Sequence, residues 1–152
     1  MNMKHDRMPR NAVAEVRGDS DAPKLSGRVQ FQQKANGVLV TANIKGLPKY
    51  NKAGFFGFHI HDGESCKGED FPETKGHFNP DKKPHPMHDG DLPPLLSNKG
   101  FAYMQVFTDR FTVGDVIGKT VVIHAESDDF HSQPGGDAGE KIGCGEIKPA
   151  RR

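Results

Sequence analysis

The sequence predicts an all-β protein, an antiparallel β-sandwich or flattened barrel of seven to eight strands whose two long loops carry the functional site. Short runs that alternate apolar and polar residues recur along the chain, separated by clusters of turn-forming residues. The hydrophobic content is low, at 34%, and the chain has 18 glycines and 11 prolines. This composition suits short strands joined by ordered loops, and no internal repeat or convincing helix is visible.

The strands are expected at definite places along the chain. Residues 12–17 alternate and form the first strand, and residues 25–32 and 37–44 form a hairpin. A fourth strand is expected at 54–61, where aromatic residues supply core. The segment LPPLL at 92–96 holds at most a short edge strand, because proline cannot donate to a ladder. The remaining strands are expected at 101–107, 120–124 and 142–147.

The chain is expected to fold as one domain, since 152 residues is about one domain's worth of chain. Residues 1–9 are expected to be a flexible tail, and residues 10–152 the domain. Residues 62–98 show no periodicity and are rich in Gly, Pro, Lys, Asp and His, which predicts a metal-binding loop. Residues 125–141 are expected to be a second active-site loop. Loops of this length in a small domain are usually functional.

Charge and hydropathy exclude several classes of protein. Lys and Arg number 21 against 20 for Asp and Glu, so no basic surface for nucleic acid is expected. No apolar run is long enough to span a membrane, and the first nine residues lack an apolar signal-peptide core. We therefore expect cytoplasmic placement for the chain as given, and periplasmic or extracellular placement if a leader was removed. Cys66 and Cys144 allow one pairing, which these observations leave open.

The histidines indicate a metal site. In GFHIH at residues 57–61, His59 and His61 stand two apart in a strand, so both imidazoles leave it on one face. Six of the chain's eight histidines lie from His59 to His124, the last of them at the end of another strand. Imidazole is a common ligand of copper and zinc. His5 and His131 lie outside this group and are expected to be ordinary surface residues.

Five segments, in this order, resemble the copper/zinc superoxide dismutase family in its bacterial type. They are GFHIH at 57–61, GHFNP at 76–80, HDGDL at 88–92, GKTVVIH at 118–124, and GDAG through CG at 136–145. The resemblance runs from residue 12 to residue 147 and implies a Greek-key β-sandwich and an oxidoreductase that uses a copper ion and a zinc ion. It also implies superoxide as the substrate and a possible homodimer, and neither nucleic acid nor a membrane as a partner.

The resemblance carries ligands over position by position. The implied copper ligands are His59, His61, His77 and His124. The implied zinc ligands are His77, His85, His88 and Asp91. His77 belongs to both sets as a bridging imidazolate. One departure is that His85 and His88 stand only three apart, where the family usually has a longer excursion between these ligands.

The implied reaction is a two-step cycle. One superoxide reduces Cu(II) and leaves as dioxygen, and a second reoxidises Cu(I) and leaves as hydrogen peroxide after taking one proton from His77 and one from water. Lys141 stands where the family usually has an arginine that attracts the anion, so the charge is kept while the planar guanidinium is lost. This predicts weaker or more salt-sensitive activity than an arginine version would have. The second loop also looks shorter than in the family.

Two further roles follow from the resemblance. The resemblance implies that the Asp128 carboxylate accepts from the free N–H groups of a copper histidine, His59, and a zinc histidine, His85, and so joins them. Cys66 and Cys144 match the family's intramolecular disulfide, although two separate thiols remain an alternative.

Two other functional classes are alternatives to the enzyme. A non-catalytic protein of the same fold that binds copper or zinc is the main alternative, because fold does not determine function. All four copper positions and a cation at position 141 are filled, which favours catalysis. Zinc-dependent hydrolysis is disfavoured, because no His-Glu-x-x-His motif exists.

Overall fold

The protein is built on one curled antiparallel sheet. The computed structural model describes residues 9–150, so the predicted tail at 1–9 lies outside the described residues except for Pro9. Seven strands form the main sheet, and two strands of two residues each form a small second sheet. The sheet curls into a half-barrel, and the prediction of an all-β sandwich or flattened barrel is confirmed.

The elements follow the predicted order closely. The strands are β1 (Asn11–Gly18), β2 (Ser26–Lys34), β3 (Gly37–Lys45), β4 (Phe55–Phe56), β5 (Phe58–His61), β6 (Leu95–Leu96), β7 (Ala102–Thr108), β8 (Thr120–His124) and β9 (Lys141–Pro149). One short helix, α1, covers Val113–Val116, and a 3₁₀ turn covers Pro72–Thr74. No helix among residues 9–150 is long and apolar enough to cross a lipid bilayer.

The strand order explains how distant segments meet. The main sheet runs β5-β8-β9-β1-β2-β3-β7, so the chain passes from β3 near one end of the sheet to β5 at the other. This crossing, with antiparallel neighbours throughout, is a Greek-key connection. It places the two histidines of β5 beside β8, with His59 opposite Val122 and His61 opposite Thr120.

The core fills the concave side of the sheet. Alternate residues of β1, β2 and β3 point inward, as the sequence alternation predicts, and Phe31, Phe56 and Phe58 are among the largest fully buried side chains. The residues of β5 and β8 are buried on both faces, because the metal-binding and second loops cover the outer side. The histidines of β5 therefore sit in a rigid, dry setting.

One expected strand is split in two. The sequence predicts a single strand at 54–61, but the structure breaks it at Gly57 into β4 and β5. There the second loop crosses the chain, because the Gly57 N–H donates to the Glu126 carbonyl at 2.8 Å. A Cβ on Gly57 would lie 2.7 Å from Cβ of Ala138, so a larger residue would displace the loop.

The short helix α1 has a local signal that the sequence reading did not use. Thr112 and Asp115 form a capping box, in which the Thr112 hydroxyl accepts from the Asp115 N–H and the Asp115 carboxylate accepts from the Thr112 N–H. The helix is one turn long, so hydrophobic periodicity could not reveal it.

The cysteines are joined. Cys66, in the metal-binding loop, and Cys144, on β9, form a disulfide with a Cα–Cα distance of 5.8 Å. The pairing implied by the resemblance is confirmed, and the alternative of two separate thiols is excluded. Phe71 and Val122 pack with the disulfide in a small buried cluster. The bridge thus ties a polar loop to the sheet.

Candidate metal centre

The metal-binding loop reaches the site by lying against the free edge of β5. The Ile60 N–H donates to the Gly90 carbonyl, and the Phe78 N–H donates to the Ile60 carbonyl, both at 2.8 Å. Isolated bridges pair His59 with Asp91 and His61 with His77. Two remote loop segments are thereby held beside the two strand histidines, which explains why a loop without periodicity places its ligands reproducibly.

The structure brings the four predicted copper ligands together. The four histidines each offer a ring nitrogen to one cluster in which these atoms lie within 4.8 Å of one another: His59, His61, His77 and His124. The first two come from β5, the third from the loop and the last from the end of β8. Nε2 of His61 lies 3.1 Å from Nε2 of His124.

The hydrogen bonds at the back of this cluster fix its tautomers. Nδ1–H of His61 donates to the Lys75 carbonyl at 2.8 Å, and Nδ1–H of His124 donates to the Gly139 carbonyl at 3.1 Å. A carbonyl only accepts, so in the neutral rings both Nε2 atoms carry lone pairs. Two lone pairs 3.1 Å apart repel unless a cation lies between them. The donor set therefore fits a metal ion.

Asp128 fixes the tautomers of two more histidines, His59 and His85. Nε2–H of His59 and Nε2–H of His85 each donate to one carboxylate oxygen of Asp128, both at 2.7 Å. This leaves Nδ1 of each ring as a lone pair, and both Nδ1 atoms are buried without a hydrogen-bond partner. Unpartnered buried nitrogens of this kind are the expected mark of metal ligands whose other nitrogen is held by a carboxylate.

The predicted zinc ligands also converge. Nδ1 of His77 lies 2.8 Å from Oδ1 of Asp91 and 3.1 Å from Nδ1 of His88. Oδ2 of Asp91 lies 3.1 Å from Nδ1 of both His85 and His88. The His85 contact is close in distance but is not a hydrogen bond, since its Nδ1 carries a lone pair. Three nitrogens and one carboxylate are a donor set that suits tetrahedral zinc.

His77 joins the two clusters. Its Nδ1 faces the zinc set, so its Nε2 is the nitrogen left for the copper set. The ring stacks on that of His59 with centroids 4.0 Å apart. The resemblance implies that both sets use His77, and in the structure His77 belongs to both groups of side chains that could hold a metal ion, with its Nδ1 turned toward Asp91 and His88.

Burial keeps the cluster neutral and ready for metal. Desolvation lowers the pKa of His59 to about 4 and that of His124 to about 3, and it lowers the pKa of His61 well below its usual value. Burial acts to raise the pKa of Asp128, but hydrogen bonds from His59 and His85 outweigh it, and the pKa is lowered. Neutral imidazoles are the form that binds metals, and the ionised Asp128 accepts from Nε2–H of His59 and His85, which leaves their Nδ1 atoms as lone pairs.

Lys141 lies at the rim of the copper cluster. Its ammonium donates to the Thr74 hydroxyl at 2.8 Å and to the Lys75 carbonyl at 3.1 Å, the same carbonyl that holds His61. Partial burial lowers its pKa. An ammonium has three donors, so one N–H remains for an anion. The sequence placed a cation here, and the structure adds the two contacts that fix its position.

The copper cluster opens on a cleft of about 490 Å³, lined by His77, His124 and residues of the second loop between 132 and 139. A Cβ on Gly135 would lie 3.1 Å from Nε2 of His77, so the loop backbone passes directly beside this ring. The other predicted surface histidine within the described residues, His131, has a side chain 80% exposed and stands apart from both clusters. His5 lies outside the described residues.

Sequence reasoning missed the backbone groups and side chains that support the ligands. The Lys75 and Gly139 carbonyls orient two copper histidines. The Gln133 amide and the Arg110 guanidinium hold the backbone of the metal-binding loop between residues 85 and 88. A carbonyl has no sequence signature, and a lone glutamine or arginine in a loop has none either.

The fold and the two clusters define a class of protein: an all-β, Greek-key protein with histidine-rich groups that could hold metal ions. Comparison with known proteins identifies the family. The profile of the copper/zinc superoxide dismutase family matches residues 25–147. Cu-Zn superoxide dismutase 2 of Aquifex aeolicus is 36% identical over 140 residues, covering 82% of this chain and 80% of the relative. The Cu-Zn superoxide dismutase of Legionella pneumophila is 33% identical over 134 residues, covering 83% and 80%.

A solved structure agrees with the fold. The crystal structure of a double mutant of an SOD-like protein from Bacillus subtilis matches with a TM-score of 0.78 and 27% identity, covering 90% of this chain and 96% of that one. The chain belongs to the copper/zinc superoxide dismutase family. It is accordingly a superoxide dismutase, an oxidoreductase whose metals are copper and zinc.

Proposed function

We propose that the protein disproportionates superoxide at copper held by His59, His61, His77 and His124, with zinc held by His77, His85, His88 and Asp91. The observation that carries this proposal is the set of converging lone pairs, above all those of His61 and His124. The reaction takes two superoxide anions and two protons to one dioxygen and one hydrogen peroxide. When bound, copper supplies the one-electron exchange by alternating between Cu(II) and Cu(I), and zinc supplies a second positive charge beyond His77.

In this proposal His77 bridges the two metal positions. Zinc would be held through Nδ1, which faces Asp91 and His88, and copper through Nε2. Because zinc would occupy Nδ1, Nε2 is the atom of His77 that can hold a proton when copper does not occupy it. His77 would give this proton to the peroxide formed from the second superoxide. This proton would be delivered at the cleft, because His77 and Gly135 both line it and a Cβ on Gly135 would lie 3.1 Å from Nε2 of His77. Water supplies the second proton.

Lys141 is proposed to attract and dock the anion. Its position at the rim is held by Thr74 and the Lys75 carbonyl, and its third N–H has no hydrogen-bond partner among residues 9–150. A positive charge near the copper cluster raises the local concentration of superoxide and offsets the repulsion between successive anions. An ammonium is a compact charge without a planar fork, so it docks a diatomic anion with less directional control than a guanidinium would.

Metal analysis coupled to an activity assay tests the proposal. We expect protein reconstituted with both ions to hold one copper and one zinc per chain and to dismutate superoxide, and chelation to abolish the turnover. Copper bound without turnover would instead support the non-catalytic metal-binding alternative. Failure to bind copper would overturn the ligand assignment.

The compartment remains a prediction. Cytoplasmic placement was expected for the chain as given, with periplasmic or extracellular placement if a leader was removed. The disulfide between Cys66 and Cys144 favours a non-reducing compartment, because thiol-reducing systems keep most cytosolic cysteines reduced. Alkylation of free thiols in intact cells, followed by mass analysis, distinguishes the two: we expect both cysteines to be protected.

The homodimer also remains a prediction. The two-stranded sheet offers an apolar surface for it, because Phe55 and Leu96 are paired across β4 and β6 and are 40% and 46% exposed. We expect a dimer in sedimentation experiments that the double substitution Phe55→Ser and Leu96→Ser converts to monomer. A wild-type protein that is monomeric at all concentrations would contradict this.

A further inference from the structure

The two histidines that belong to the zinc set alone, His85 and His88, stand in a segment with little structure of its own. Residues 81–84 are exposed, whereas His85 is only 3% exposed. We propose that Gln133 is a positioning residue for zinc, which fixes the backbone of His85 through a two-point amide clamp from the second loop. The inference rests on the proposed zinc site and adds a residue that neither the ligand set nor the resemblance contains.

The clamp uses both ends of the glutamine amide. Oε1 of Gln133 accepts from the His85 N–H at 2.9 Å, and its Nε2 donates to the His85 carbonyl at 2.9 Å. The same Nε2 also donates to the His131 carbonyl at 2.9 Å, which fixes the rotamer of the clamping side chain within its own loop. A side-chain amide thus makes the pair of bonds that a neighbouring strand would make to one residue.

His85 has no substitute for this support. Within the part of the chain that the structure describes, the backbone N–H and carbonyl of His85 have no hydrogen-bond partner besides Gln133. Asp128 orients the His85 ring through Nε2, but it does not locate the backbone. The ring orientation and the backbone position of one zinc ligand are therefore set by two different residues of the second loop.

His88 is supported separately. Nη1 of Arg110 donates to the Pro86 carbonyl at 2.9 Å and to the His88 carbonyl at 3.1 Å, and the His88 N–H donates to Asp91 at 2.9 Å. These contacts come from the segment before α1 and from the ligand set itself. Loss of the Gln133 amide should thus loosen His85 while leaving His88 in place, which makes the effect specific to one ligand.

The clamp should act on zinc rather than copper. The copper histidines His61 and His124 are held by the Lys75 and Gly139 carbonyls, and His59 is held by β5. Within the described residues, Gln133 makes no hydrogen bond to any of these three rings. Removing its amide therefore weakens zinc binding without touching the orientation of the remaining copper ligands.

The test compares two substitutions with a matched control. Gln133→Met keeps the length and removes all three hydrogen bonds of the side chain, and Gln133→Glu keeps the acceptor but loses the donor. Gln30→Met, on the exposed face of β2, is the control. Zinc and copper dissociation constants are measured by chelator competition on full-length reconstituted protein, and Co²⁺ is loaded in place of zinc so that its visible spectrum reports ligand geometry.

We expect Gln133→Met to weaken zinc binding by about 10- to 100-fold, the range found when a residue that supports a metal ligand is replaced. Copper affinity should change by less than about twofold, Gln133→Glu should be intermediate, and Gln30→Met should match wild type. An altered Co²⁺ spectrum would accompany the loss. Equal loss of both metals, or unchanged zinc affinity in both variants, would overturn the inference. Wild-type protein that fails to bind zinc would instead overturn the proposed site.

Discussion

At the residue scale, four of the clustered imidazoles are each held by a hydrogen bond at one ring nitrogen and offer the other nitrogen as a lone pair. Carbonyls hold His61 and His124, and one carboxylate, Asp128, holds His59 and His85. These partners decide the tautomers, and burial keeps the rings neutral. The lone pairs of these rings therefore already point toward one another in the metal-free protein. Their mutual repulsion, as between Nε2 of His61 and Nε2 of His124, is relieved when a cation binds.

The buried histidines predict how the metal-free protein responds to acid. The pKa values of His59 and His124 are lowered to about 4 and about 3, so between pH 6.5 and 4 the unfolded chain takes up protons that the folded chain does not. The folded protein therefore has its full stability above the histidine pKa of the unfolded chain, about 6.5. Below that pH the free energy of unfolding decreases, by about 1 to 2 kcal/mol for each histidine at pH 5. Thermal unfolding of the metal-free protein should show a lower Tm at pH 5 than at pH 7.5. An equal Tm at both pH values would show that these rings are not buried and neutral.

Lys141 gives a second prediction at this scale. Lys141→Arg should raise the dismutation rate and reduce its sensitivity to salt, because a guanidinium docks the anion with two directed donors. Rates measured from low to high ionic strength check this, with Lys148→Arg, on the exposed end of β9, as the control. If Lys141→Arg leaves both the rate and its salt dependence unchanged, Lys141 does not guide the substrate.

At the element scale, the free edge of β5 organises both loops. The metal-binding loop pairs with this edge through Ile60, and the second loop crosses at Gly57, where no side chain fits. The sequence predicts the strands well, because alternation and β-branched runs are local signals. It predicts one strand at 54–61 where the structure has two, since the reason for the break is a remote loop.

Gly57→Ala tests this crossing. The added Cβ would lie 2.7 Å from Cβ of Ala138 and 3.3 Å from Cβ of His124, so the second loop must shift. We expect a loss of about 1 to 3 kcal/mol in unfolding free energy, as for other overpacked sites. Gly76→Ala, where a Cβ meets nothing within 4 Å, should cost little. Urea unfolding of both variants provides the comparison, and equal stability would contradict the close approach.

The same contrast explains what could be predicted at the site. The residues that gather in the two clusters were predictable, because their types carry the chemistry and their order along the chain resembles a known family. The supports were not, because the Lys75 and Gly139 carbonyls depend on backbone position, and Gln133 acts across 48 residues of sequence. The sequence shows that the spacing between His85 and His88 is shorter than is usual in the family. The hydrogen bonds from Gln133 and Arg110 that hold this segment appear only in three dimensions.

At the scale of the whole molecule, a disulfide ties the polar metal-binding loop to the sheet. The disulfide closes a separation of 78 residues between Cys66 and Cys144. In the chain-entropy description, a loop of this length contributes about 4 kcal/mol. The double substitution Cys66→Ser and Cys144→Ser should therefore lower the unfolding free energy of the metal-free protein by about 2 to 5 kcal/mol. Denaturant titration checks this, and reduced wild-type protein should match the double variant. Unchanged midpoints would mean that the sheet alone holds the loop.

In the proposed centre one ring, His77, serves both metal positions through opposite nitrogens. Loading copper at both positions tests this bridge, because an imidazolate bridge couples the two unpaired electrons. We predict that the paramagnetic resonance signal of the copper-loaded protein at low temperature falls as the second copper binds. Two independent signals that simply add would contradict the bridge and leave two separate metal sites.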